Sequence, residues 1–307
     1  MSSQKIMSSS KLLLICIAFF SIQSCSLIKT DFNFVKPMYK VKIIDDLSLD
    51  FEDLNKQLPI RISYPDTAGR LPVIIFSHGN GSKGDMYQGF TDYWASHGYL
   101  VIQPTHIDSI SLGFETKRDN MREMQKQMLY VTDTRRQDMS FILDSLGLIE
   151  EMVPDLKNRL DTSKLVAAGH SMGAATAMLV SGMKLVNPMD GTEESSDENR
   201  FKVLLMISDP GTMTLMPKEP WKGVRIPTLI STGTKDFSDV GSKPLSSPES
   251  GRSTLYNKSV VLCFALFRQI VSRTNKSIIC LFTNNLNKQI QKTCVLGGTS
   301  TFSDLLP

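Results

Sequence analysis

Hydrophobic residues along the chain fall into short unbroken runs that alternate with stretches of helical spacing. Leu71-Pro72-Val73-Ile74-Ile75-Phe76-Ser77 is such a run, rich in β-branched residues and ended by His78-Gly79-Asn80-Gly81-Ser82. It reads as a strand buried on both faces, followed by a tight glycine loop. Phe90 to His97 reads as a helix closed by Gly98, and Tyr99-Leu100-Val101-Ile102 as the next strand, stopped by Pro104. Ser111 to Lys126 is polar, charged and Met-rich, whereas from about Thr134 to Leu146 the residues Met139, Ile142, Leu143 and Leu146 recur at helical spacing. Leu165-Val166-Ala167-Ala168 is another strand, running into Gly169-His170-Ser171-Met172-Gly173 and the small-residue helix Ala174 to Met183. Phe201 to Ile207 and Pro227 to Ser231 complete the set of strands, and Tyr39 to Ile44 carries weak strand character. Asn187 to Arg200, with five acids, reads as a solvated loop. Buried strands alternating with helices imply an α/β fold with a mostly parallel central sheet and helices on both faces.

Composition bounds this picture without changing it. With 307 residues, 41% hydrophobic and 21% charged, the chain can build one large domain with a real core, and a disordered or collagen-like chain is excluded. The net charge of +3 argues neither for nor against any partner, and no nucleic-acid partner is expected. Its distribution is uneven: Lys243 to Pro307 holds eight Lys and Arg against Glu249 and Asp304, so the preceding body is slightly acidic. All 16 methionines lie at or before Met216, and all four histidines, His78, His97, His106 and His170, lie in the same part. No cysteine falls between Ser26 and Leu262, so that body holds no disulfide and no cysteine-based zinc site. No clustered His/Cys set is present either, and neither a metal nor a cofactor is expected.

The N-terminus has the order of an export signal. Lys5 and Lys11 precede the nine apolar residues Leu12 to Phe20, too short a run for a comfortable permanent span. The following Ile22-Gln23-Ser24-Cys25 resembles a bacterial lipobox, with Gln23 larger than is usual there. It implies lipidation of Cys25 and membrane attachment through that lipid, with a plain cleaved signal as the alternative. The expected location is the periplasm, the outer membrane or the medium.

Gly169-His170-Ser171-Met172-Gly173 matches G-x-S-x-G and sits where a nucleophile elbow needs it, between a strand and a small-residue helix. The glycines leave room for a sharp turn that lifts the Ser171 hydroxyl above the sheet and aims the helix N-terminus at the reacting oxygen. A serine attacking a carbonyl also needs donors for the oxyanion. The Met172 N–H, directly after the serine, supplies one, and the His78-to-Gly81 loop stands where the second would come from, with the Asn80 N–H as the donor. His78 and His170 read as residues that order these loops, against a direct role for His78 in proton transfer.

At these residues the chain resembles the α/β-hydrolase superfamily, and within it the dienelactone-hydrolase and platelet-activating-factor acetylhydrolase-like esterases. The resembling segments are LPVIIFSHGNGS from Leu71, GYLVIQPTH from Gly98, RRQDMSFILDSL from Arg135, LDTSKLVAAGHSMGAATA from Leu160 and IPTLISTGTKD from Ile226. The resemblance implies a serine carboxylesterase that acts through an acyl-enzyme on a small or lipid-like ester. It offers two triad acids: Asp236, in the loop after the Pro227 strand as in dienelactone-type hydrolases, and Asp209, after the preceding strand, where acetylhydrolase- and chlorophyllase-like relatives carry theirs. Either could instead cap a loop, a common role for Asp beside Gly and Pro.

The resemblance also exposes a gap. In this fold the triad runs Ser, Asp, His, with the histidine after the last strand, and no histidine follows His170. Without a base the serine stays protonated, and losing a triad member lowers kcat by orders of magnitude. His106 is the one alternative donor, against a packing role. The expected organisation is a signal over 1–25, a linker or strand over 26–57, the hydrolase domain over 58–242, and an anomalous basic tail over 243–307 with an atypical C-terminal strand and helix region. A change of reading frame or splicing near Val240 to Lys243 accounts for the tail; a natural pseudoenzyme or a family-specific extension is the alternative. Val260 to Phe267 is the candidate for the last strand. A catalytically silent protein that binds a hydrophobic ligand in the same cleft, or a peptidase or thioesterase on the same scaffold, are the competing functions.

Overall fold

The computed structural model describes residues 36–117, 120–196, 198–208, 214–233, 278–283 and 291–296. Pro37–Pro307 forms one compact unit. The leader with Cys25 and the Val260 to Phe267 run lie outside the described residues.

β1 (Val41–Phe51) and β2 (Lys56–Pro65) form an antiparallel hairpin. Its turn ends on Asn55 in the left-handed conformation (φ 46°), which asparagine tolerates better than most residues. β3 (Leu71–Ser77), β4 (Leu100–Pro104), β5 (Leu160–His170), β8 (Val203–Ile207), β9 (Thr228–Gly233), β10 (Ile278–Thr283) and β11 (Gln291–Leu296) join the same sheet. β6 (Lys184–Val186) and β7 (Glu193–Ser195) pair separately as a short ribbon, so the stretch Asn187 to Arg200, expected to be a solvated loop, contains a short strand, its residues exposed. Among the described residues the main sheet has the order β1-β2-β4-β3-β5-β8-β9-β10-β11. It is parallel from β4 through β10, with β2 antiparallel to β4 and β11 antiparallel to β10. This is the α/β-hydrolase arrangement of a mostly parallel sheet flanked by helices.

The unbroken apolar runs are explained by burial on both faces. In β3, Val73 and Ile75 enter one core cluster with Met139, Ile142 and Met178, while Ile74 and Phe76 enter another with Trp94 and Ala95. The first face is covered by α2 (Met121–Asp144) and α4 (Met172–Leu179), and the second by α1 (Gln88–Ala95). A short α3 (Leu146–Met152) continues from α2 and buries Leu146 and Ile149. Alternate residues of one strand therefore serve opposite cores, and period-2 polarity vanishes.

Two elements exceed the sequence expectation. α2 begins at Met121, where the Asn120 side chain accepts a hydrogen bond from the Arg122 N–H (2.8 Å). Its first turns carry Met121, Met124 and Met128 but bury little: Met121 is 65% and Tyr130 58% accessible, Met128 and Leu129 are only partly buried against the core, and fully buried residues begin at Val131. β1 is an edge strand with mostly exposed or half-buried residues, which is why only weak strand character shows over Tyr39 to Ile44. At the other side of the sheet, among the described residues, β9 pairs with β10, from Ile278.

α4 seats on the end of β3 through its first turn, where the backbones touch. A Cβ on Gly173 would lie 2.0 Å from the Ser77 carbonyl oxygen and 2.6 Å from that of His78. Gly173→Ala therefore has to push α4 off β3 or displace the Ser77–His78 backbone, and neither is free to move within a close-packed interior. The expected result is a loss of about 3 kcal/mol or more, read as a lower urea midpoint, or no folded protein. A midpoint within experimental scatter of the parent would show that this close approach is absent.

Candidate active site

The sheet itself selects the place for a ligand. From the adjacent strands β3 and β5 the chain departs in opposite directions, to β4 on one side and to β8 on the other. The crevice outside the carboxyl ends of two such strands is where open α/β sheets bind ligands. β3 ends in the His78-to-Ser82 loop, and β5 runs directly into Ser171.

Ser171 stands at φ 53°, ψ −118°, a conformation that costs a side-chain-bearing residue about 1–3 kcal/mol unless its surroundings enforce it. They do. The Ser171 N–H donates to the Ile207 carbonyl (3.0 Å), tying the turn to β8, and the Ser171 carbonyl accepts from the N–H groups of Ala174 (2.9 Å) and Ala175 (3.2 Å). A Cβ on Gly169 would lie 2.1 Å from the Gly173 carbonyl oxygen, so the strand end and helix start pass at backbone distance. Both motif glycines are thus required by close approach. Ser171 itself is half-buried, and Met172 opens α4 with an N–H that has no intrahelical acceptor.

The facing loop is held from several sides. Its Gly79 N–H donates to the Tyr87 hydroxyl (3.1 Å), its Gly81 N–H to Asp108 Oδ2 (3.2 Å), and its Ser82 N–H to the Gly79 carbonyl (3.2 Å). The Gly81 carbonyl accepts from the Ile110 N–H (3.1 Å). Between these fixed groups sits Asn80, exposed, whose N–H bonds to no other described residue. The Tyr87 hydroxyl also lies 2.9 Å from His170 Nδ1, so one side chain bridges the loop and the serine turn. The half-buried His170 therefore orders the turn from beside the serine.

Beneath the loop lies a buried polar layer. Arg135, wholly buried on α2, donates from Nε and Nη2 to the two carboxylate oxygens of Asp108, both at 2.7 Å. Its Nη1 donates to the His78 carbonyl (2.6 Å) and to Ser77 Oγ (3.3 Å), and its Nη2 to the Gly79 carbonyl (3.1 Å). The His106 N–H donates to His78 Nε2 (2.9 Å), which places the His78 proton on Nδ1, donated to the Gly79 carbonyl (2.7 Å). His106 donates from Nδ1 to Asp138 (2.8 Å) and accepts at Nε2 from Ser77 Oγ (2.8 Å), while Lys56 pairs with the other oxygen of Asp138. The layer thus contains a Ser–His–Asp chain, Ser77-His106-Asp138, with all three side chains fully buried. Both ring nitrogens of His106 are committed there, and so are those of His78; they act as packing and hydrogen-bonding residues under the loop.

Burial, reinforced by the neighbouring His106 and Arg135, holds His78 far below its ordinary value, at about 2. Burial likewise pushes His106 down, again with Arg135 adding to the effect and Asp138 opposing it. Burial alone would raise Asp108, but its hydrogen bonds and charge contact with Arg135 prevail and bring it to about 2. Arg135 and Asp108 are a fully formed ion pair, and the two histidines are neutral.

Sequence reasoning located the loop and the serine but assigned no role to Tyr87, Asp108, Arg135 or Asp138. A signal existed for the last two: Arg135 and Asp138 stand on the same helical stripe as Met139 and Ile142, so charged residues occupy a buried face. Asp209 and Asp236 lie outside the described residues. The strands that lead to them are in view: β8 touches Ser171 through Ile207, and the Ser208 N–H donates to the Ser231 carbonyl of β9 (2.7 Å). Among the described residues no group of His, Cys, Asp and Glu could hold a metal ion, and no helix is long and apolar enough to cross a membrane.

Comparison with known proteins gives the arrangement a family. A family model described as chlorophyllase matches residues 33–190, just over half of the chain. The chain belongs to the chlorophyllase family. The region matched by the chlorophyllase model contains the loop, the buried polar layer and Ser171, and stops short of Asp209. Chlorophyllase-1 of Arabidopsis thaliana is 23% identical over 160 residues, 52% of this chain and 45% of the relative. A putative phospholipase A2 of Schizosaccharomyces pombe is 27% identical over 173 residues, covering 42% of this chain and 39% of the relative. The platelet-activating factor acetylhydrolase of Bos taurus is 29% identical over 142 residues, covering 36% and 32%. The chain therefore spans less than half the length of each of these relatives.

The buried histidines give the fold a defined acid response. Each is held neutral in the fold and takes up a proton more readily when unfolded, below about pH 6.5, so stability falls as the pH drops through that value, by about 1.4 kcal/mol per pH unit for His78, with His106 adding to the loss in the same direction. Asp108 adds the same sign lower down: its contribution is complete above 3.8 and fades as the pH falls towards 2. Urea midpoints at pH 7.5, 6 and 5 check this. A midpoint that stays flat over that range would show that the histidines are not held neutral.

Proposed function

We propose that the chain is a serine hydrolase of carboxylic esters that forms an acyl-enzyme on Ser171, with turnover impaired by the absence of a triad histidine. The observation that carries this reading is the enforced strain at Ser171, at φ 53° between two glycines that touch backbone, at the switch point of the sheet. A folded protein keeps such a conformation only where something compensates for it, and an exposed nucleophile is the chemistry that uses it. In the proposed reaction, Ser171 Oγ attacks the ester carbonyl and, with no triad histidine to take it, loses its proton to solvent; the Asn80 and Met172 N–H groups stabilise the oxyanion, whose collapse expels the alcohol, leaving the acyl-enzyme for water to hydrolyse. Asp236 or Asp209 serves as the triad acid. Relatives named as a phospholipase A2 and an acetylhydrolase support a lipid-like ester as substrate. The leader ending in Cys25 supports export with a lipid anchor at that residue.

The general base is where the proposal departs from an ordinary esterase. β10 and β11 stand beyond β9, and the resemblance puts the histidine loop after the last strand; no histidine follows either strand in the sequence. A reading-frame or splice change near Val240 to Lys243 accounts for this and for the basic tail. That same gap favours a second reading, a silent protein that retains the cleft for a hydrophobic ligand.

Hydrolysis of p-nitrophenyl butyrate separates the two. The expected outcome is slow turnover, with rate constants several orders of magnitude below those of a complete triad, abolished in Ser171→Ala. Turnover indistinguishable between the parent and Ser171→Ala, with ligand affinity retained, would favour the silent binder. The nucleotide sequence across codons 238 to 250, read in three frames, should reveal a strand followed by Asn-His or Gly-His in another frame; a clean frame with nothing hidden would defeat the displaced tail.

A further inference from the structure

The geometry points to Arg135, with Asp108 as its counter-ion, as the positioning residue that sets the oxyanion donor of the His78-to-Ser82 loop. The inference rests on the serine-hydrolase reading above, and it goes beyond it by assigning a function to a buried ion pair that touches neither the serine nor a substrate.

Arg135 makes five directed bonds and none is to solvent. Two engage Asp108, two engage the consecutive carbonyls of His78 and Gly79, and one engages Ser77 Oγ. Asp108 returns to the same loop and accepts the Gly81 N–H. The pair therefore grips the loop on both sides of Asn80: carbonyls before it by the cation, an amide after it by the anion. Tyr87 fixes the remaining amide, that of Gly79, from the direction of the serine turn. With its neighbours consumed in this way, the Asn80 peptide can turn only by breaking bonds to a buried charge. An oxyanion hole contributes most when its dipoles are set before reaction, because no reorganisation then accompanies charge development. The arrangement gives a reason for the buried charges: an apolar replacement could fill the volume under the loop but could not fix the direction of an N–H above it.

Arginine is required for this rather than a cation as such. Its planar fork serves Asp108 on one edge and two successive carbonyls on the other, whereas a lysine ammonium is a compact charge on a flexible stem, without the fork that spans both partners. Arg135→Lys in the full chain keeps the charge and loses the grip. Arg136→Lys is the control, since Arg136 pairs with Asp133 on the partly exposed side of the same helix.

Two readouts decide the matter. The first is the limiting rate at which a fluorophosphonate labels Ser171, forming an Oγ–P bond as fluoride leaves, together with the reagent concentration giving half that rate. The second is amide hydrogen exchange over residues 79–82. The expected result for Arg135→Lys is a limiting rate at least tenfold lower with the half-saturating concentration changed less than twofold, and faster exchange at Gly79 and Gly81. Arg136→Lys should match the parent in both. If Arg135→Lys fails to fold, Asp108→Asn and Tyr87→Phe each remove one side of the grip and should lower the limiting rate in the same way. An unchanged limiting rate in a variant whose loop exchanges faster would overturn the positioning role. Should the parent resist labelling altogether, the hydrolase reading fails, and the exchange data still test the grip: unaltered exchange at Gly79 and Gly81 in Arg135→Lys would overturn it.

Discussion

The structure turns on one backbone contact. The carbonyl oxygens of Ser77 and His78 occupy the space where residue 173 would carry a side chain, so the first turn of α4 rests directly on the exit of β3. Because β5 feeds α4 through Ser171, and β3 feeds the loop that ends at Ser82, this contact brings the two chain reversals that border the switch point into register. Strain at Ser171 is the local expression of it: a relaxed turn would lengthen the path between β5 and α4 and lift the helix from the strand. The bond from the Ser171 N–H to Ile207 then carries the same constraint into β8, the next strand of the sheet.

Much of this was legible in the sequence because the constraint leaves compositional traces. Two glycines at fixed offsets around a serine, unbroken apolar runs before each turn, and a helix of alanines after the second are what close backbone approach and two-sided burial demand. The runs over Leu71 to Ser77 and Leu165 to Ala168 correspond to β3 and to the inner half of β5. Where burial was one-sided or slight the signal faded, as in β1, most of whose residues are exposed or half-buried, and in the first turns of α2, where only Met128 and Leu129 reach the core and then only in part. The pairing of β10 with β9 carried no pattern that set Ile278 to Phe282 above the equally apolar Val260 to Phe267.

The polar layer under the loop illustrates a different limit. Single-residue reasoning treats a charged residue as exposed, and Arg135, Asp138 and Asp108 break that expectation together. Each is tolerable only because the others are present: Asp108 neutralises Arg135, Lys56 and His106 share Asp138, and backbone carbonyls absorb the remaining donors. Three of the partners come from segments far apart in sequence, so no local window contains the network. Helical phase alone placed Arg135 and Asp138 on the buried stripe; what they met there depended on the sheet order.

The parallel ladder between β9 and β10 has a consequence for how such a chain fares once made. Main-chain pairing does not depend on which side chains the incoming strand carries, so the place next to β9 tolerates wide changes of sequence as long as the backbone can pair. Cellular surveillance recognises open sheet edges and exposed apolar surface. It has no means of sensing a catalytic side chain. Architectural completeness and chemical completeness are thus inspected by different agents, and a lineage can retain the first long after the second has gone.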